Sequence, residues 1–126
     1  MKKYLGWLPA FIWAFLIWRL TTTPDFKVTE DTVLSFIISN GGHFFFFGIQ
    51  AVFILLALPA RIWNLSSNIV AVACASLYGV LIEMVQRRVP GRSADPLDWI
   101  LDTLGAIAFL AIAKKILNQK FSNSPI

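Results

Sequence analysis

Charge is scarce in this chain. Of its 126 residues, 14% are Asp, Glu, Lys or Arg and 57% are hydrophobic, whereas ordinary soluble domains carry roughly a quarter charged residues. A chain this short cannot withdraw so much apolar surface from water by folding on itself, so an ordinary soluble globule is excluded. Cysteine is nearly absent too. Cys74 stands alone in an apolar run, which rules out an intrachain disulfide framework and makes it read as a small buried hydrophobe. There is a single histidine, His43, and no HExxH or paired-cysteine signature of a zinc site. GxSxG, P-loop and dinucleotide fingerprints are missing as well. The sequence therefore predicts no cofactor and no metal, although His43, Glu83, Asp98 and Asp102 form a mixed nitrogen and oxygen donor set. The net charge is +4, but the basic residues are scattered at helix ends rather than arrayed among exposed aromatics. That pattern suits anionic lipid and excludes a nucleic-acid partner.

What the chain does have is long apolar runs. A bilayer core needs about 20 such residues per helix, and the runs predict an all-α integral membrane protein, a bundle of four transmembrane helices in a single domain over residues 1–126. The expected spans are about 4–20, 42–58, 68–89 and 96–116. Residues 1–20 read as a retained first span rather than a signal peptide, being rich in tryptophan, closed by Arg19 and followed by no small-x-small site. Residues 25–41 form the longest connection, in which VLSFII is either a short interfacial segment or an early start of span two. GGHFFFFG opens span two, and its four consecutive phenylalanines must point all round the helix. Arg61 and Trp63 read as interface anchors after Pro59, and Pro90-Gly91 breaks span three. An even number of crossings puts both termini on one side. Six basic residues on that side face five on the other, which favours cytoplasmic termini in the cell membrane by a small margin.

The polar residues fall where alternating spans bring them to one layer. His43 begins span two, Glu83 and Gln86 lie near the end of span three, and Asp98 and Asp102 begin span four. Ser76, Gly79, Glu83 and Gln86 make a small and polar stripe, as do Asp98, Asp102 and Gly105, and small residues let membrane helices approach closely. Glu83, six residues before Val89, is about 9 Å inside the expected helix end, too deep for its short side chain to escape easily. If the protein is an enzyme, Glu83, His43 and Asp102 are the candidate catalytic groups, with His43 able to pass protons near neutral pH. Gln86, Arg87, Arg92 and Asp98 are the candidate ligand-binding groups, since guanidinium groups fork onto phosphate or carboxylate. Plainer roles compete: a sealing Glu83–Arg87 ion pair, Arg88 as a headgroup anchor, Asp98 as a helix-start acid, Trp99 as interface belt, and Ser76 and Gln50 as interhelical glue.

With those residues in place, the chain resembles the VanZ-like family of small membrane proteins. The likeness is strongest in GVLIEMVQRRVPGRSADPLDWILDTLG, residues 79–105. It supplies the glycine (Gly79), the Glu-x-x-Gln pair (Glu83, Gln86), Pro90, Arg92, the loop aspartate Asp98 and the final Gly105. His43 matches the family's earlier histidine. Ser39 and Asn40 stand where the family has aspartate and lysine, and Asp102 stands where it has asparagine. The resemblance implies a cell-envelope location and, through the family's namesake, a contribution to teicoplanin resistance. It assigns no reaction.

Four functions then compete. One is an envelope factor binding a lipid-linked cell-wall precursor or another anionic ligand in a polar pocket at the outer interface. The second is a small membrane enzyme acting on a lipid headgroup or phosphate, with Glu83 and His43 as an acid–base pair. The third is a proton-coupled dimeric transporter carried by Glu83, and the fourth is a purely structural protein. Membrane lipid is an expected partner in each case, and a homo-oligomer is compatible with all four.

Overall fold

The computed structural model describes residues 2–24, 30, 32–59 and 64–122, and these are helical or in short connections, with no strand among them. The proposed anchors Arg61 and Trp63 lie outside the described residues. A one-turn helix, α1 (Lys2–Leu5), leads into α2 (Leu8–Thr22), followed by α3 (Thr32–Ala57), α4 (Leu65–Gln86) and α5 (Pro96–Ser122). In α2, Pro9 lies at the start of the helix, where its missing N–H would have had no intrahelical partner.

Helix α3 resolves the ambiguity of VLSFII: that segment is the early start of the second long helix, and no separate interfacial piece forms. The helix continues through Gly41 and Gly42 despite a helical cost of about 1 kcal/mol per glycine. At 26 residues it runs about 39 Å. The phenylalanines fan out as expected. Phe47 is buried and Phe45 exposed, while Phe46 packs on Trp13 and Phe44 on Phe109.

Helix α4 starts at a capping box in which Ser67 N–H donates to Asn64 Oδ1 and Asn64 N–H donates to Ser67 Oγ. It ends three residues before the expected Val89, because the amides of Arg88 and Val89 donate to the carbonyls of Val85 and Gln86 and tighten the last turn. Pro90-Gly91 then makes a turn closed by Arg92 N–H to Val89 O at 3.2 Å, with Gly91 at φ 75°, a backbone region open to glycine at little cost. Asp95 caps α5 through its Oδ1, which accepts from Leu97 N–H at 2.9 Å, and Pro96 occupies the first helical position.

Cross-helix contacts give alternating directions. From its middle to its C-terminus α2 runs along the C-terminal half of α4, through Tyr78 to Ala14 and Gln86 to Thr21. The His43 region of α3 meets the start of α5. The α3–α5 pairing is the most extensive, and glycine makes it possible: a Cβ on Gly105 would run into the Phe44 carbonyl, and one on Gly48 into the Phe109 ring. Below the polar residues lies a layer of Ile17, Phe47 and Ile82, and beyond it an alanine-rich core of Ala10, Ala51, Ala71, Ala75 and Ala106.

The outside is greasy. Phe11 and Phe15 of α2, Leu77 and Leu81 of α4, and Leu104 and Ile107 of α5 are all exposed, as expected of a bundle clothed in lipid rather than water. Cys74 belongs to this outer surface too, which corrects the expectation that it is buried: on an integral membrane helix, lipid serves an apolar residue as well as a core does. Two helices, over Val33–Ala57 and Leu65–Gln86, are long and apolar enough to cross a membrane. Helix α2, at 15 residues, is shorter than that.

Candidate functional site

Four of the seven candidate residues converge. His43, on the fourth turn of α3, pairs through Nδ1 with Asp102 Oδ1 at 2.8 Å, and its Nε2 lies 3.6 Å from Asp98 Oδ2. Glu83 approaches from the last turn of α4: one donor atom each from His43, Glu83 and Asp98 lie within 4.8 Å of one another. Asp102 is fully buried, and His43 and Glu83 are each 8% exposed. The imidazole also stacks on Phe47, with centroids 6.2 Å apart and rings 5° from parallel.

A carboxylate can only accept a hydrogen bond, so the Asp102 contact places the imidazole proton on Nδ1 and leaves the Nε2 lone pair facing Asp98 and Glu83. Gly79 allows this geometry. A Cβ there would come 2.6 Å from Asp102 Oδ2, so α4 can press against α5 at the aspartate only where it has no side chain. Oδ2 of Asp102 and Oε1 of Glu83 are buried without a hydrogen-bond partner.

The depth of Glu83 has a different origin from the one the sequence implied. With α4 ending at Gln86, Glu83 is about 4.5 Å from the helix end, half the expected distance. Its burial comes from tertiary cover instead, including the connection to α5, whose Asp95 backbone faces the carboxylate.

The other three candidates are directed elsewhere. Arg92 donates from Nε to Thr23 O at 3.1 Å and from Nη2 to Leu20 O at 2.7 Å. Gln86 Nε2 donates to Thr21 O at 3.2 Å. Both side chains therefore cap the C-terminus of α2, where carbonyls have no amide ahead of them. The hydroxyls of Thr21, Thr22 and Thr23 bond back one turn to the carbonyls of Ile17, Trp18 and Arg19. Burial pushes the Arg92 pKa down from its ordinary value, yet a guanidinium stays charged. Arg87 forms the C-cap of α4 and, like Arg88, is exposed. Among the described residues no Glu83–Arg87 ion pair forms, so the sealing pair is absent.

Sequence reasoning missed Asp95, although Asp-Pro ahead of an apolar run is a legible helix start. It also missed the threonine hydroxyls that bond back onto the last turns of α2. Ser76 does act as glue, bonding Thr103 Oγ1 at 2.9 Å and accepting from Trp99 Nε1 at 2.9 Å, so Trp99 anchors α5 to α4 as well as meeting the outside.

A family model described as VanZ/LLP1 matches residues 5–118. The chain belongs to the VanZ/LLP1 family. The match covers α2, α3, α4 and all but the last four residues of α5, and so extends well past the 79–105 block that carries the strongest resemblance. No curated protein and no solved structure matches the chain significantly. For this VanZ/LLP1 protein, helix composition and family agree with a membrane location.

Proposed function

We propose that this VanZ-like chain is a four-span cell-envelope protein, with both termini cytoplasmic, that binds the headgroup of a lipid-linked or otherwise anionic envelope ligand at the His43 end of the bundle. Through that ligand it contributes to glycopeptide (teicoplanin) resistance. The observation that carries the reading is the convergence of His43, Glu83, Asp98 and Asp102 on one end of an otherwise apolar bundle. Ionisable groups buried among membrane helices are costly and mark ligand or ion sites.

Carboxylates accept hydrogen bonds, so the cluster suits hydroxyl and amide donors such as a lipid-linked cell-wall precursor carries. The phosphate of such a ligand would meet Arg87 and Arg88, exposed where α4 ends. Guanidinium groups fork onto phosphate oxygens. Native mass spectrometry in nanodiscs containing a lipid-linked cell-wall precursor tests this. Saturable binding should weaken at least about tenfold in Arg87→Ala/Arg88→Ala, the loss of charge-assisted phosphate contacts, and again in His43→Ala. Binding no tighter than that of bulk phospholipid, or equal in all variants, would reject it.

The His43–Asp102 pair favours a second reading. An imidazole whose Nδ1 is tied to a buried carboxylate is a positioned base, and the Nε2 lone pair, facing Asp98 and Glu83, would take a proton from a headgroup hydroxyl or water admitted to the cluster. Turnover of envelope lipids by the purified protein, lost in both His43→Ala and Glu83→Gln, is the expected result. Product formation at the parent rate in those variants would dispose of the enzymatic reading.

A further inference from the structure

We propose that His43 Nε2, Glu83 and Asp98 bind a divalent transition-metal ion of the zinc or manganese class, with Asp102 orienting the imidazole. Three separate features converge on this. The first is the donor triangle itself: Nε2 of His43 and Oδ2 of Asp98 lie 3.6 Å apart. That is too long for a hydrogen bond, but two bonds of about 2.0–2.2 Å at a tetrahedral angle place their donors about 3.4 Å apart. Glu83 completes the triangle, one donor atom from each of the three residues lying within 4.8 Å of the others, and rotation of the Glu83 side chain closes the remainder.

The second is that Glu83, 8% exposed, carries a fully buried Oε1 without a hydrogen-bond partner. A buried carboxylate oxygen left bare is expensive, and a cation between it, Asp98 and His43 satisfies it. The third is the Asp102 contact. A metal-bound histidine characteristically donates its other ring N–H to a carboxylate, which fixes the tautomer and strengthens the ligand. Asp102 Oδ1 stands 2.8 Å from Nδ1 and is buried behind Gly79, so the lone pair that remains is the one directed at the other two ligands.

The donor set selects the class. One imidazole and two carboxylates suit zinc or manganese, whereas calcium and magnesium prefer oxygen alone. Three protein ligands leave further coordination positions open to water or to an oxygen of a bound headgroup. The sequence signature for such a site is missing because the ligands come from three helices rather than from one short motif.

The test uses the full chain in detergent, without a polyhistidine tag, stripped with chelator and titrated calorimetrically with zinc alone. One equivalent per chain is expected. Affinity should fall about a hundredfold or more in His43→Ala, Glu83→Gln and Asp98→Asn, and about 10- to 100-fold in Asp102→Asn, but stay unchanged in Cys74→Ser. X-ray absorption on the zinc-loaded parent protein needs no variant to fold, and should show nitrogen and oxygen neighbours including one imidazole. Absence of saturable binding, binding indifferent to the three ligand substitutions, a sulfur neighbour, or calcium binding as tight as zinc would each overturn the proposal. No envelope lipid enters the titration, so this outcome and that of the lipid-binding experiment are independent.

Discussion

At the residue scale, the decisive group is Asp102, which holds the imidazole by Nδ1 at 2.8 Å and is itself wholly buried. The chain has one histidine, so ¹⁵N-histidine labelling reports His43 alone. At alkaline pH the parent protein should show a protonated Nδ1 and a bare Nε2. Asp102→Asn can present either amide oxygen or amide nitrogen to the ring, so its spectrum should contain both tautomers. A bare Nδ1 in the parent would refute the assigned geometry. Gly79→Ala is expected to be harmful for a related reason. Its Cβ would press on Asp102 Oδ2 at 2.6 Å, and overpacking of this kind costs about 1–3 kcal/mol. Thermal unfolding in detergent should register the loss, and the same variant should disturb the His43 signals.

At the scale of elements, the end of α2 depends on side chains some seventy positions downstream. Arg92 and Gln86 cover the carbonyls of Leu20, Thr21 and Thr23. Where water is scarce, an uncovered carbonyl is costly. Arg92→Ala should destabilise the bundle by about 1.5–3 kcal/mol per charge-assisted bond at most, with the larger part of the effect local. Hydrogen exchange should accelerate around Thr21–Thr23 while the amides near Ala75 remain protected. Uniform acceleration along the chain would contradict the capping role. The α3–α5 seam is more exacting, because Gly105 lies against backbone rather than a movable side chain. Gly105→Ala should therefore reach or exceed the ~3 kcal/mol top of the usual overpacking range, measured as loss of the folded fraction on size-exclusion chromatography.

At the scale of the whole molecule, alternating helix directions gather groups far apart in sequence at one end. The proposed four-span topology predicts that Ser93 and Asn118, both exposed and near opposite ends of α5, lie on opposite sides of the membrane. Ser93→Cys and Asn118→Cys, each in a Cys74→Ser background, should react with an impermeant thiol reagent from opposite sides in oriented vesicles. Reaction of both from the same side would rule out a fourth crossing.

Much of this was already legible in the chain. A 57% hydrophobic content left lipid as the natural covering, turn residues such as Pro90-Gly91 marked the breaks, and the spacing of Glu83, Asp98 and Asp102 placed them at one layer, because helical period and span length are local properties. The functional grouping was not local. Which polar side chains face the cluster and which turn aside depends on where α2 ends relative to α4, and on three glycines, Gly48, Gly79 and Gly105, narrow enough to bring helices together. Arg92 and Gln86 read like ligand groups in sequence since nothing nearby uses them. Only the packed bundle supplies the bare carbonyls that claim their donors, leaving one histidine and three carboxylates to form the site.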